Sequence, residues 1–319
     1  MDLTSPGVAA RPAFRGLGAL SITIDLDRSI GWKGARVFMQ YHGKAGSVAP
    51  VIGSGMQGVS NIDAHDFHAV GELWYELEYQ DAIRMKVGRV DAAAEFAAPR
   101  HAGEFLNPSM GITPTVLGAP TYPAPAASVN LFLAPSPSLY MSGGLFDAGS
   151  TGGNAGGFYI GEVGAQWSHG GGGRIALGGW RNGGLFATGN GSTRNGAAGF
   201  FLVLDQALFG WPGGHGLEEP PVGISLQYGR AAPTANGITE HLGIAVAVND
   251  VPFGLDDVAG LGTTVAEAAG EPRTREQVVE AFYGLQLTPW ARIVADMQWA
   301  ATPAVGSTAA ATLRFTVDL

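Results

Sequence analysis

Cysteine is absent from the 319 residues. That excludes a disulfide scaffold and a cysteine zinc site. Charge is scarce: Asp, Glu, Lys and Arg make up 14% of the chain, the net charge is −9, and no basic block occurs. Neutralising phosphates takes clustered Lys and Arg, so no nucleic-acid partner is expected. No stretch of about 18 consecutive apolar residues exists, so no transmembrane helix is expected. Catalytic signatures are missing too. Gly170–Gly173 is not followed by Lys-Ser or Lys-Thr, so it makes no phosphate cradle, and no Gly-x-Ser-x-Gly elbow is present. His65 and His68, beside Asp63 and Asp66, have a metal-like spacing but no evident third ligand. Neither enzyme chemistry nor a metal or cofactor is expected.

What is present is glycine, 50 residues, with 19 prolines and a 46% hydrophobic content. That much Gly and Pro disfavours an all-helical chain. The hydrophobic content argues against disorder.

The dominant pattern is alternation with period 2, which places successive side chains on opposite faces of a strand. In one segment Leu73, Tyr75, Leu77 and Tyr79 face one way and Glu72, Trp74, Glu76 and Glu78 the other. Ile83, Met85 and Val87 then oppose Arg84, Lys86 and Gly88, and the short link Gln80-Asp81-Ala82 predicts a hairpin. The same pattern recurs in Val37, Met39 and Tyr41 against Arg36, Phe38 and Gln40. It recurs in Ile175 and Leu177 against Arg174 and Trp180, and in Ile293, Ala295, Met297 and Trp299 against Arg292, Val294 and Asp296. The chain ends on Leu313, Phe315, Val317 and Leu319 against Arg314, Thr316 and Asp318. A soluble β-sandwich also alternates. Several charges on one face of a strand with bulky apolar groups on the other favour a transmembrane antiparallel β-barrel, as do aromatics near strand ends (Tyr41, Tyr79, Tyr159, Trp167, Tyr228, Trp299).

Fourteen strands are predicted, the first at 17–27 and the last at 308–319, in one domain spanning 17–319. Residues 1–16 are predicted to be a linker or a truncated N-terminal segment. Long loops are expected near 44–65, 91–123, 183–196 and 250–275, at the extracellular rim or folded inward as a constriction. Asp91 is placed to cap one short helix before Pro99. Met1-Asp2-Leu3-Thr4-Ser5-Pro6 lacks the basic and apolar regions of a signal peptide, so the sequence is expected to be a mature or truncated form of an exported chain.

Several stretches carry a resemblance: Ser60-Asn61-Ile62 before Glu72-Leu73-Trp74-Tyr75-Glu76; Val87-Gly88-Arg89-Val90-Asp91 before Glu95-Phe96-Ala97; Phe105-Leu106-Asn107; Asp205-Gln206; Leu285-Gln286-Leu287-Thr288-Pro289-Trp290 leading to Asp296-Met297-Gln298-Trp299 and Pro303. The region from Leu20 to Gln40, with Asp25, Asp27 and Gly31-Trp32, joins them. In this order they resemble the OprB-type carbohydrate-selective porin family. The resemblance implies a sixteen-stranded barrel in the cell outer membrane that passes monosaccharides, glucose above all, by facilitated diffusion. It implies mono- and small oligosaccharides as cargo, outer-membrane lipid and lipopolysaccharide as surroundings, and a monomer or homotrimer as the assembly. The chain departs from the family in being short and in matching only a linker over Met1–Gly16, so closure of the barrel is an open point; fourteen is an even number, which permits a smaller closed barrel.

A sugar pore needs groups that replace water around hydroxyls, and flat apolar groups for C–H faces. The face opposite the bulky residues holds Arg36, Glu72, Trp74, Glu76, Arg84, Lys86, Arg174, Trp180, Arg292 and Asp296, with Asp205, Glu280 and Arg314. Arg89, Asp91 and Glu95 run from a strand into the long loop, where a constriction is expected. These are the candidate substrate-pathway residues. Charges that only pair across the wall and hold its shape would give the same pattern. A general or differently selective pore, a soluble all-β carbohydrate-binding module and a non-conducting barrel fragment are the alternatives.

Overall fold

The computed structural model describes residues 1–6, 12–147, 156–187, 192–208, 222–234, 237–249, 257–270 and 273–318. Sixteen antiparallel strands close on themselves. They are β1 (Asp2–Pro6), β2 (Ala13–Asp25), β3 (Ala35–Gly46), β4 (Phe67–Tyr79), β5 (Ile83–Val90), β6 (Ala126–Ser136), β7 (Leu139–Phe146) and β8 (Phe158–Trp167). The second half holds β9 (Gly173–Ala187), β10 (Thr193–Leu208), β11 (Val222–Ala231), β12 (Ile238–Asn249), β13 (Val258–Ala268), β14 (Thr274–Thr288), β15 (Ala291–Thr302) and β16 (Gly306–Val317). Every strand pairs with its sequence neighbour, and β1 pairs with β16, from Asp2 opposite Arg314 to Pro6 opposite Ala310. The ring closes through β1, which lies beside Ala13–Arg15 of β2 and Ala310–Arg314 of β16, and closure is what lets a sheet stand in lipid.

The alternation read from the sequence sets the two surfaces. Leu20, Leu73, Leu145, Leu177, Leu261, Met297 and Leu313 are 46 to 64% exposed on the outside, while Glu76, Asp205, Glu280 and Gln298 on the inward faces are buried. An exposed apolar belt around the whole barrel would aggregate in water; lipid is its matching solvent. At the β4–β5 hairpin Gln80 and Asp81 take positive φ, 53° and 54°, the twist a tight hairpin turn requires.

Two strands lie where loop or linker was expected. Within the segment expected to be linker, Asp2–Pro6 forms β1 and Ala13 opens β2, with Asp2 and Thr4 buried inward and Leu3 exposed outward. Five residues ending in Ser5-Pro6 are too few to display alternation, and Pro6 sits at the strand end, where a missing N–H is tolerated. The 250–275 segment contains β13, whose inward Gly260, Gly262, Thr264 and Ala266 are small enough to read as loop. The 183–196 segment narrows as well, because β9 runs to Ala187 and β10 starts at Thr193. The terminal Leu319, most of the glycine run 152–157 and parts of the 183–196 and 250–275 segments lie outside the described residues.

The links β4–β5, β6–β7, β8–β9 and β14–β15 are short and lie at one rim, the periplasmic one in outer-membrane barrels. From the opposite rim two long segments turn into the lumen: 47–66, between β3 and β4, and 91–125, between β5 and β6. A short helix, α1 (Leu26–Ile30), follows β2; the second long segment carries α2 (Ala92–Glu95), with the Asp91 side chain accepting from the Ala93 N–H as its cap, and α3 (Pro108–Gly111). Phe96, Ala97 and Val116 pack on inward Phe146, Phe158, Ile160, Phe201 and Val203. Phe105, Leu106 and Met110 pack on Phe282 and Val294, and Ile52 and Val59 on Val278, Ala300 and Ala310. The inner wall is therefore apolar at these three loop contacts. Each large side chain buried this way is worth about 1.5–3 kcal/mol.

Candidate functional site

The predicted charges on β3, β4 and β5 meet as one cluster. Register sets Arg36 opposite Glu76, and Glu76 opposite Lys86. Arg36 Nε donates to Glu76 at 2.5 Å, and Arg84 Nη1 donates to the other carboxylate oxygen at 3.0 Å. Lys86 lies 3.3 Å from Glu76 and bonds Glu95, which also accepts from Arg84 at 2.8 Å. Glu95 reaches the wall because Asp91 caps α2 and turns the loop inward. Aromatic faces complete the cluster: the Lys86 ammonium sits 3.8 Å over Trp74, which stacks on Phe38, and the Arg84 guanidinium sits 3.6 Å over Phe132.

A second group lies further round the wall. Arg174 donates to Asp205 at 2.7 Å, approaches Glu162 at 3.8 Å and bonds the Ala98 carbonyl of the inward loop. Tyr140 OH donates to Glu162 at 2.7 Å. The two groups share a cavity of about 310 Å³ in the periplasmic half, lined among others by Arg84, Glu95, Arg100, Phe132, Tyr140, Glu162, Gln166 and Arg174. Arg100 and Gln166, 3.3 Å apart, also line an adjoining cavity of about 590 Å³ that reaches Trp167 and Asp205.

Wall carboxylates hold the second inward loop by its backbone. Glu72 accepts from the Asp91 N–H at 3.2 Å, Glu162 from Ala97 at 3.1 Å and Asp205 from Arg100 at 2.9 Å. Glu280 accepts from Leu106 and Asn107. Glu276 does the same for Ser54 and Gln57 of the first loop. Tyr122 OH ties the loops together through the Ile62 carbonyl at 3.0 Å; burial first, then nearby Asp63, pushes its phenol up to about 12.

The structure thus gathers Arg36, Trp74, Glu76, Arg84, Lys86 and Glu95, and sets Arg174 on the same cavity. Glu72 and Asp91 hold the loop. The remaining predicted residues stand apart. Arg89 lies in register with outward Leu73 and Ala127 and donates to the Gly71 carbonyl at 2.9 Å. Trp180 is buried in the apolar cluster, stacked on Phe158, and does not line the 310 Å³ cavity. Arg292 pairs with Glu104 of the loop at 2.8 Å, and Asp296 accepts from Gln298 at 3.1 Å on the far wall. Sequence reasoning missed Arg100, Phe132, Tyr140, Glu162 and Gln166. Phe132, Tyr140, Glu162 and Gln166 sit on predicted strands at inward positions, so alternation extended along β6 to β8 would have flagged them. Nothing in the sequence marks where Arg100 lands.

A family model described as carbohydrate-selective porin, OprB family, matches residues 13–179 and 162–319. No curated protein sequence matches the chain. Among solved structures, OprB of Pseudomonas putida at high pH superposes with a TM-score of 0.84 at 14% identity, covering 99% of this chain and 92% of its own. OmpT of Vibrio cholerae gives 0.61 at 9% identity over 99% and 94%. OpdK of Pseudomonas aeruginosa, solved with vanillate, gives 0.54 at 9% identity over 100% and 96%. At these identities the superpositions speak for the barrel fold.

Proposed function

Because the chain is an outer-membrane barrel belonging to the OprB family of carbohydrate-selective porins, we propose that it admits monosaccharides of the glucose type to the periplasm by facilitated diffusion, past the cavity between Arg84, Glu95 and Arg174. The observation that carries this reading is the composition of that cavity: guanidinium and carboxylate groups of both signs beside the Phe132 ring and the Tyr140 hydroxyl. Charged groups of both signs make strong hydrogen bonds to neutral hydroxyls, and an aromatic face accepts the C–H side of a pyranose. A pore tuned to an ion would carry mainly one sign. No bond is made or broken on this pathway.

Single-channel conductance of the detergent-folded protein in a planar bilayer tests it, titrated with glucose and with a non-sugar solute of equal size. Block by glucose at lower concentration than the control is the expected result. Equal block by both solutes would make it a general pore.

A further inference from the structure

The outer surface of β6 to β10 carries a trough. Gly143, Gly161 and Gly179 lie side by side on β7, β8 and β9, with Leu131 and Phe200 closing the row at its two ends. Met141, Val163 and Leu177 wall it towards the periplasmic rim, and the lining is almost wholly apolar around about 780 Å³. Packing does not require these glycines. A Cβ would meet no atom closer than 3.8 Å at Gly143, 3.4 Å at Gly161 or 3.6 Å at Gly179. The inward glycines beside them differ: a Cβ on Gly178 would run into the Phe201 ring at 2.0 Å. Just above the floor, towards the extracellular rim, stands Arg181, exposed and in register with Tyr159. Among the described residues it is the one charged side chain on the lipid-facing side of β6 to β9, and it has no carboxylate partner. A lone cation facing lipid is costly unless an anion meets it.

We propose that this trough seats one acyl chain of lipopolysaccharide, the phosphate-bearing lipid of the outer leaflet, with its phosphate paired to Arg181. The groove supplies the chain with an apolar bed, and the arginine supplies a forked donor on its extracellular side. The site is on the outside of the wall and is independent of the sugar pathway.

Native mass spectrometry of protein extracted from outer membranes tests this, comparing wild type with Gly161→Leu, Gly179→Ile and Arg181→Gln. Single-channel conductance of each sample serves as the control for folding. Wild type is expected to retain one lipopolysaccharide molecule; each variant is expected to lower retention about tenfold, with conductance unchanged. Equal retention in wild type and in the variants that conduct would overturn the proposal. So would a glycine variant that dissociates an oligomer while retained lipid stays constant, which would give this face to a second copy of the chain.

Discussion

The Leu106 N–H donates to Oε1 of Glu280 at 2.5 Å, so a loop residue is fixed to the far wall through its backbone. Glu280 is fully buried and takes the Asn107 N–H as well. Replacing Glu280 with Ala leaves two buried donors unpaired, at about 1–3 kcal/mol each. The Glu280→Ala pore is expected to show larger and noisier single-channel currents and weaker glucose block. Unchanged current traces would mean that apolar packing alone holds the loop.

Glu76 faces three cations and is 1% exposed. Glu76→Gln removes the charge and leaves Lys86, itself nearly buried, with Glu95 alone. Breaking a buried pair costs about 3–5 kcal/mol. Here the cost is expected near the lower end, since Arg36 is half exposed. The variant should unfold at lower temperature and shift the reversal potential in a salt gradient towards anions. An unshifted potential would put this cluster off the ion path.

Phe132 carries the Arg84 guanidinium on its ring. Phe132→Ala should weaken glucose block by up to about tenfold, from the lost ring contact and the freed arginine. Small-ion conductance should hold or rise. Equal loss of block by glucose and by the non-sugar control would mean that the variant widened the pore without removing a sugar contact.

The seam between β1 and β16 rests on Arg314, which grips both oxygens of Asp2 at 2.7 and 2.8 Å. Asp2 is fully buried and also accepts from Ser60 of the first inward loop at 2.6 Å. Asp2→Ala leaves Arg314 with Ser60 and Asn61 but no carboxylate, and the folded barrel should lose its compact mobility in detergent gels at a lower temperature than wild type. Deleting residues 1–6 should be more severe, because β16 then has no partner on one side. Normal heat resistance of the deletion would mean that β2 can replace β1 beside β16.

Fourteen of the strands were legible because lipid demands bulky groups on one face, as Leu73, Tyr75 and Leu77 display. Strands β1 and β13 were not, since a short seam strand and a strand of Gly, Ala and Thr offer little contrast between faces. Glu76 opposite Lys86 was legible because register between β4 and β5 follows from the tight hairpin at Gln80-Asp81; Arg36 joins from β3, across a long loop that sets no register. Glu95 was reached because it follows Arg89 and Asp91 from a strand into the long loop. Arg100 and the inward apolar residues Phe146, Phe201 and Phe282 depend on where a 35-residue loop comes to rest. Local patterning carries no information on that. Trp180 shows the cost: alternation gives its face correctly, but not that the loop covers it.

The wall carboxylates take hold of the inward loop by amide hydrogens that nearly every amino acid possesses. Position in the lumen is thereby uncoupled from side-chain identity at Arg100, the moored residue that lines the cavity. Such a loop can exchange a cargo-facing side chain over evolutionary time while remaining moored, whereas proline at a mooring point would remove the amide hydrogen that holds it. The barrel is in that sense a fixed frame with a rewritable filter.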